Sequence, residues 1–576
     1  MDEIKKGQEL IVFLTKIYEE AFSVQKERRK KYEEYTSYYH GQIWPKDSHR
    51  LKIVINHLKE IITRKVSLMT DVIPVIELLP SDERLFPVAE ALKKVITALW
   101  EEYSWSDTLQ ELIYFNQLYG SAFTNTCWDP ALDWGKGDIN IIVGDPRSYL
   151  IDPFVTRANK INEAEYIIYE YFKPTEQLRA QYPDAAEEIK SYYEIEKEKK
   201  GFMDRILKTL KFRTESGFRP TIERSLVKEY WIKDRTVQND KAVYPAGRFI
   251  KLVGNTILDD EPNIYWDGRF PIDMIDWQFD PDSPFGISEV EDLATPFKVY
   301  NNILSLIVEN TVLSVNTIWT GDIDSLPPGE REKLLRNKPG EFIGHRPGKP
   351  IVRQPPPPLP AYLMANVEYL RSMLDEVSGM AEVTRGKRGG LTSASALEGA
   401  FLASQSIIRY QARKLENLIS RIGQKLIARI LQFFTDDRLM FITGPEGRDQ
   451  FHFVRNEIIK PFQDVYAREI NGIPSEQIPT YLARRAFRDF QFKVIAGSSL
   501  AMTKTQRAML AMTLFKLGII DDESVLDILE FPNKKAILYR KRTGKGEAPP
   551  PRSKVKLPVM RTDRGLPSRK GMGFGL

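Results

Sequence analysis

Two stretches in the middle of the chain repeat apolar positions every three or four residues. Leu293, Phe297, Tyr300, Leu304, Ile307 and Thr311 follow one another at intervals of 4, 3, 4, 3 and 4. Leu363, Val367, Leu370, Leu374 and Val377 follow at 4, 3, 4 and 3. Each pattern predicts a helix with a narrow apolar seam, of the kind that packs helix on helix. The first helix is expected to run from Ser288 toward Asn316, with Ser288-x-x-Glu291 as a capping box. Pro296 is expected to kink it or to mark its true start. A third helix is expected from near Ser393 to Phe434. At about 1.5 Å per residue, the first and third would span roughly 43 and 60 Å. Such lengths exceed what a compact core requires and suit a rod-like layer shared between subunits.

Two insertions separate these helices. Residues 317–360 are rich in Pro and Gly, and their apolar residues are too scattered to build a core. Two short runs, around Phe342-Ile343 and Ile351-Val352, read as strands paired with another chain, because an isolated hairpin is marginal in water. Pro355 and Pro356 open a proline run through Pro360 that reads as a stiff extended spacer. A disordered surface loop is the alternative. The second insertion, residues 384–390, holds three glycines and the cations Arg385, Lys387 and Arg388. It reads either as a solvated basic turn or as a mobile element touching a phosphate backbone. It is not a nucleotide-binding loop, since no GxxxxGK[ST] occurs.

The rest of the chain mixes helix and strand. Residues 1–70 and 82–128 read as helical, with a short strand at Val75–Leu79. Strands are expected at 139–143, 166–172, 225–232 and 248–253, with a Glu/Lys-rich helical stretch between, at about 175–210. Further short strands are expected at 439–442, 451–454 and 489–494. Helices are expected at 503–518, stopped by Gly518, and at 521–529. The fold class is α+β, predominantly α.

Composition limits the chemistry. Of 576 residues, 42% are apolar, enough for two to four domains with sizeable cores. No apolar run is long enough for a transmembrane helix, and Met1–Lys6 lacks the apolar core of a signal peptide. The single cysteine, Cys127, excludes intrachain disulfides and multi-thiolate metal sites. Net charge is +4, but residues 541–576 carry ten Lys/Arg against two acids, so the first 540 residues sum to −4. A body that gripped DNA phosphates tightly would be strongly positive. The tail, rich in Pro, Gly, Lys and Arg, reads as disordered. The five histidines are widely spaced, and no HExxH, GxSxG or GxGxxG occurs. Asp184 with Glu198 mimics a metal-dependent nuclease pattern but falls in a helical run. Asp259-Asp260, Asp436-Asp437 and Asp521-Asp522 read as turns and caps. Tyr35, Tyr38, Tyr39 and Trp44 read as core or subunit interface. No cofactor and no metal site is expected.

Several landmarks occur in a telling order. They are Tyr38–Trp44 with Asn56 and Pro74…Pro80, Tyr119-Gly120-Ser121-Ala122, and Asp145-Pro146…Asp152-Pro153. Pro281-Asp282-Ser283-Pro284-Phe285-Gly286-Ile287-Ser288 follows. Ser378-Gly379-Met380…Ser393-Ala394-Ser395-Ala396 and Met502-Thr503-Lys504…Gly518-Ile519-Ile520-Asp521 complete the series. In this order, from about residue 20 to 540, the chain resembles the portal (head–tail connector) proteins of tailed bacteriophages, of the crown-bearing P22 type. The resemblance implies a portal fold of wing, stem, clip and crown assembling into a ring, as a homododecamer. It implies a wing at 1–285 and 393–499, stem helices at 286–316 and 361–383, a clip at 317–360, a tunnel loop at 384–392 and a crown at 500–540. The stem would pack through Leu293, Phe297, Leu304, Ile307, Leu363, Val367, Leu370 and Leu374. The clip would dock partners through Phe342, Ile343, Ile351, Val352, Pro355 and Pro356. Arg385, Lys387 and Arg388 would meet DNA. The implied role is a conduit at one capsid vertex of the virion, assembled in the host cytoplasm, for packaging and ejection of double-stranded DNA. Implied partners are the large terminase, tail adaptors, and major capsid and scaffolding proteins, with no membrane and no enzymatic activity. A metal-dependent nuclease, or a non-viral oligomeric scaffold with a nucleic-acid-binding tail, is the alternative.

Overall fold

The computed structural model describes residues 7–45, 51–70, 76–192, 194, 221–238, 240–315, 318–336, 342–354, 360, 362–380, 406–444, 447–471, 473–474, 477–494 and scattered positions from 511 to 537. The chain divides into two compact units, Met1–Ala501 and Met502–Leu576. In the second, helical positions 511–512 and 515–516 lead to Gly518, whose φ is +71° and whose N–H donates to Phe515 O.

The first unit opens with α1 (Gly7–Tyr39) and α2 (His57–Thr70), then β1 (Ile76–Pro80), α3 (Phe86–Glu102) and α4 (Trp105–Tyr119). Strands β2 (Ser121–Asp129), β3 (Asp138–Gly144), β4 (Tyr149–Ile151) and β5 (Tyr166–Pro174) follow, with α5 (Thr175–Gln181) after them. Next come β6 (Arg224–Ile232), β7 (Val237–Gln238), β8 (Lys241–Ala242), β9 (Arg248–Val253), β10 (Thr256–Pro262) and β11 (Ile272–Asp276). The later half holds α6 (Glu289–Val315), β12 (Ile318–Thr320), α7 (Glu330–Arg336), β13 (Val352–Gln354), α8 (Tyr362–Val377) and α9 (Ser406–Phe433). It ends with β14 (Arg438–Gly444), β15 (Gly447–Phe453), α10 (Arg455–Val465), α11 (Ala467–Ile470), α12 (Ile478–Asp489) and β16 (Phe490–Val494).

Two expectations need correction. Residues 121–128 are a strand, because Gly120 at φ +78° ends α4 in the left-handed conformation that glycine adopts without penalty. The helical stretch after residue 175 is interrupted: α5 is followed by a turn at Pro183–Ala185, and helical positions recur at 192 and 194. Residues 195–220 lie outside the described residues.

A five-stranded antiparallel sheet, β10-β9-β6-β5-β4, forms one layer. Its side chains alternate between faces as strand geometry requires. Ile168, Tyr230 and Ile250, in register, meet Leu10, Leu14 and Ile17 of α1. Ile167 and Trp231 point to the opposite face, where they join Phe123, Tyr149, Ile272 and Met274. The second half of α1, through Tyr32 and Tyr35, enters the largest core cluster, built from α2, α3, α4, α6 and α9.

A smaller sheet runs β11-β2-β3, so β11 has one unpaired edge. An open edge inside a core would strand its carbonyls. Helix α9 closes it with cations spaced 7, 4 and 4 along one face: Lys414, Arg421, Lys425 and Arg429. Lys425 Nζ donates to Ile272 O at 3.1 Å, Arg421 to Met274 O at 2.8 Å, and Lys414 to Asp276 O at 3.4 Å. These alternate carbonyls are the ones that a strand directs to one side. Asp273 lies 2.7 Å from Lys425 and 3.5 Å from Arg421, fully buried. Arg429 reaches Thr126 O of β2 at 3.0 Å and pairs with Asp267 at 2.8 Å. Burial pulls the Lys425 ammonium down to about 8, while Asp273 opposes that shift. The ammonium form therefore still prevails at neutral pH.

Breaking one partner of a buried pair strands the other charge. Lys425→Met is expected to cost about 3–5 kcal/mol, read as a lowered urea midpoint. Arg421→Met, at a half-exposed position, should cost less. Equal, sub-kcal/mol effects from both would contradict this account of the edge.

Candidate assembly site

Helix α6 is aimed by a junction between two segments far apart in sequence. Gly120 and Gly286 approach so closely that a Cβ on Gly286 would lie 2.5 Å from Gly120 O and 2.5 Å from Gln278 O. Ser288 sits beside them. Its Oγ donates toward Leu118 O (2.7 Å) and Gln117 O (3.1 Å) in the last turn of α4 and accepts from Val290 N (3.0 Å) in the first turn of α6. One hydroxyl thus serves two helix ends. Next to it, buried Glu289 pairs with Lys65 at 2.7 Å and accepts from Trp277 Nε1 at 2.9 Å. A carboxylate there also faces the positive end of the helix dipole.

The predicted capping box is only half made. Ser288 caps, but Glu291 turns away to Lys31 of α1 at 2.6 Å. Nor does Pro296 start the helix, which begins at Glu289 and runs through it.

Further along α6, the extended residues 51–56 lie against it. Ile55 N donates to Asn301 Oδ1 at 2.7 Å and Ile53 N to Ser305 Oγ at 3.1 Å. Asn301 and Ser305 stand one turn apart on the same face and are buried. The backbone donors of a segment that has no ladder are thereby satisfied. Beyond Ser305 no described residue of α6 is buried. The helix outruns the core of its own chain.

Helix α8 packs on α6. Leu293, Phe297 and Tyr300 are buried, and Leu304 and Ile307 are half-buried, while Thr311 is exposed. On α8, Val367 and Leu374 are buried and Leu363 and Leu370 half-buried, whereas Val377 is exposed. A second apolar stripe faces outward. Val299, Leu306 and Leu313, at intervals of seven, are exposed on α6, as is Val312. Tyr362, Met364 and Tyr369 are exposed on α8. This stripe escaped the sequence reading because it is offset from the stronger seam, although the interval of seven was there to find.

Between the helices, β12 and β13 form an antiparallel pair, with Ile318↔Gln354, Trp319↔Arg353 and Thr320↔Val352. The second run of the insert, Ile351-Val352, therefore feeds a strand paired within its own chain rather than with another. The first run is not a strand. The Gly344 amide donates to Glu330 of α7 at 3.1 Å, and Lys333 holds that carboxylate at 2.7 Å. Phe342 and Val352 are exposed, and Ile343 and Ile351 half-buried. Pro355 and Pro356 lie outside the described residues, as do Arg385, Lys387 and Arg388.

Asp184 lies in the turn at Pro183–Ala185, and Glu198 lies outside the described residues. Asp259 and Asp260 are not a turn. They belong to β10 and pair with Lys251 (3.1 Å) and Arg248 (2.7 Å). Asp437 does cap a loop, accepting from Arg455 N at 2.9 Å. Tyr35 is buried, and Tyr38 and Tyr39 pack against the main core. Trp44 is half-buried under Lys52, whose Nζ lies 4.4 Å from the ring centroid. Burial pushes the Cys127 thiol up to about 12, so it is inert at neutral pH. Among the described residues, no group of three or more His, Cys, Asp or Glu is placed to hold a metal ion. No described helix is long and apolar enough to cross a membrane.

A helix pair that outruns its core, carries an uncovered apolar stripe and is bridged by a strand-paired insert marks a subunit built for assembly. Residues 15–551 match the family model described as phage P22-like portal protein, and the chain belongs to that family. No curated protein sequence matches it. Membership makes this a bacteriophage portal protein, from a structural family that assembles as an oligomer with capsid and other phage proteins at a capsid vertex.

Gly286→Ala is expected to collapse the junction, because every atom its Cβ would meet is backbone. The readout is loss of soluble protein or of cooperative melting. Ser288→Ala should be milder, at about 1–2 kcal/mol for a lost cap. A fully stable Gly286→Ala variant would sink this account of how α6 is aimed.

Proposed function

We propose that copies of this chain close into a ring, a dodecamer by resemblance, whose central channel passes double-stranded DNA during packaging and ejection. The observation that carries the reading is the second stripe, Val299-Leu306-Leu313 with Tyr362 and Tyr369, uncovered within its own chain. Side-by-side copies would bury it in a heterologous contact, which closes when the rotation per subunit divides a full turn. Leu293, Phe297, Leu304, Ile307, Leu363, Val367, Leu370 and Leu374 hold the stem helices together, so that each copy offers a rigid wedge. The insert at 317–360, with exposed Phe342 and Val352, docks the large terminase and later the tail adaptors.

Charge supports a conduit rather than a clamp. The first 540 residues sum to −4, so DNA is repelled weakly and slides, with Arg385, Lys387 and Arg388 as the contact to phosphate. The chain hydrolyses nothing, and nucleotide hydrolysis falls to the terminase. Residues 500–540 form the crown, and capsid and scaffolding proteins meet the outer wing.

The purified protein is expected to show closed rings by mass photometry and negative-stain imaging. Leu306→Asp should abolish them and leave a folded monomer melting within a few degrees of wild type. Monomers alone from the wild-type chain, across salt and concentration, would overturn the ring. The triple variant Arg385→Ala, Lys387→Ala, Arg388→Ala should assemble normally but package or retain less DNA. Loss of assembly in proportion to loss of packaging would remove the phosphate contact.

A further inference from the structure

The turn between β2 and β3 presents one large apolar side chain wholly to solvent. Trp134 is fully exposed. Its backbone is left-handed, at φ 56° and ψ 31°, and Asp133 before it has φ 46°. Two consecutive non-glycine residues in that region are costly, and such strain persists only when the surroundings impose it. Here they do. Gly135 N and Gly137 N both bond to Leu132 O, at 3.1 and 3.0 Å. Arg438 donates to Gly137 O at 3.0 Å. Beneath the turn lies Trp128, stacked on Phe433 with ring centroids 4.8 Å apart. A Cβ on Gly137 would strike the Trp128 ring at 2.3 Å, so the finger rests directly on it. The backbone that carries Trp134 is therefore held in place by these contacts, with the indole turned out to solvent.

On other elements of the same unit there is a cavity of about 250 Å³ between the start of α1 and strands β5, β6 and β9. Leu10, Phe13, Tyr166 and Ile232 contribute its apolar wall. Lys233, Arg235 and Arg248 line it against the acids Glu165 and Asp234, a balance of +1. Residues 129–137 of the finger carry Asp129 and Asp133 against Lys136, a balance of −1. The apolar wall suits the faces of an indole and the exposed Arg235 can lie over its ring, while Arg248 is buried and held by Asp234 and Asp260.

We infer that Trp134 of one copy seats in this cavity of the next copy, as a knob-in-pocket contact between the wings. Knob and pocket lie on different elements, so the contact is heterologous and is repeated around a closed ring. It rests on the ring reading, and adds to the stem stripe a second, separate anchor between neighbours. A buried Trp at the centre of such a contact typically dominates its energy.

The test uses the full chain. Trp134→Ala, a change at a fully exposed position that leaves the monomer folded, should weaken subunit association about thirtyfold by mass photometry. In the double variant Trp134→Cys, Phe13→Cys, mild oxidation should give a ladder of cross-linked oligomers that reduction collapses, while each single variant gives none. Cys127 does not compete, since burial holds its thiol protonated. Wild-type rings without a ladder from the double variant, or association of Trp134→Ala within twofold of wild type, would overturn the contact and leave the ring standing. A cross-link from Phe13→Cys to a cysteine at Ile4 of the same chain would give the cavity to the chain's own first residues and overturn it too. Absence of wild-type rings would overturn both readings.

Discussion

The free edge of β11 has to be closed, and the rest of the first unit is arranged around how α9 closes it. Four cations on one face of the helix take the place of a missing strand, three of them donating to the alternate carbonyls of Ile272, Met274 and Asp276. A helix packed there with an apolar face would have left those carbonyls unpaired in a dry interior. The charges in turn need acids, and Asp273 and Asp267 supply them from within the same layer. Such buried pairs add little net stability over apolar packing, but they demand one register.

From that edge the geometry passes outward in steps. β11 fixes β2 beside it, and β2 begins where α4 stops, at Gly120. Trp277, just past β11, donates its backbone N–H to Gly120 O at 2.8 Å and its indole N–H to Glu289 at the start of α6. Gly286 and Ser288 complete the corner. The direction in which α6 leaves the core is therefore set by a chain of side-chain and backbone hydrogen bonds beginning at α9. A portal subunit gains from this rigidity, because the family assembles as an oligomer and the direction of α6 fixes the surface that each copy presents.

Much of this was legible in the sequence, and the limits were physical. The long helices, the strands around 139–143, 166–172, 225–232 and 248–253, and the landmark order that placed the chain among portal proteins all rest on local pattern or on linear order. What failed depended on partners distant in sequence. Residues 121–128 follow a helix without a proline to stop it, and the left-handed Gly120, packed against Gly286, is what turns the chain into a strand. Glu291 looked like the second half of a capping box, but Lys31 on another helix offered a better partner. Ile351-Val352 looked in need of a foreign strand, and residues 318–320 of the same chain supplied one. The cations of α9 were visible at intervals of 7, 4 and 4, yet nothing local distinguishes a row bound for the core from one bound for water.

By itself, then, the sequence determined the α+β class, the helix pair with its Pro/Gly-rich insert, the weakly acidic body with a basic tail, and membership in a family of assembling subunits. Periodicity, composition and order are properties of the chain alone. Tertiary structure decided which glycines approach, which charges are buried, which seam faces inward and which apolar positions stay exposed. Those outcomes depend on the approach of segments separated by a hundred residues or more, and the approach of Gly120 to Gly286, too close for a Cβ on either, is not encoded in either neighbourhood separately.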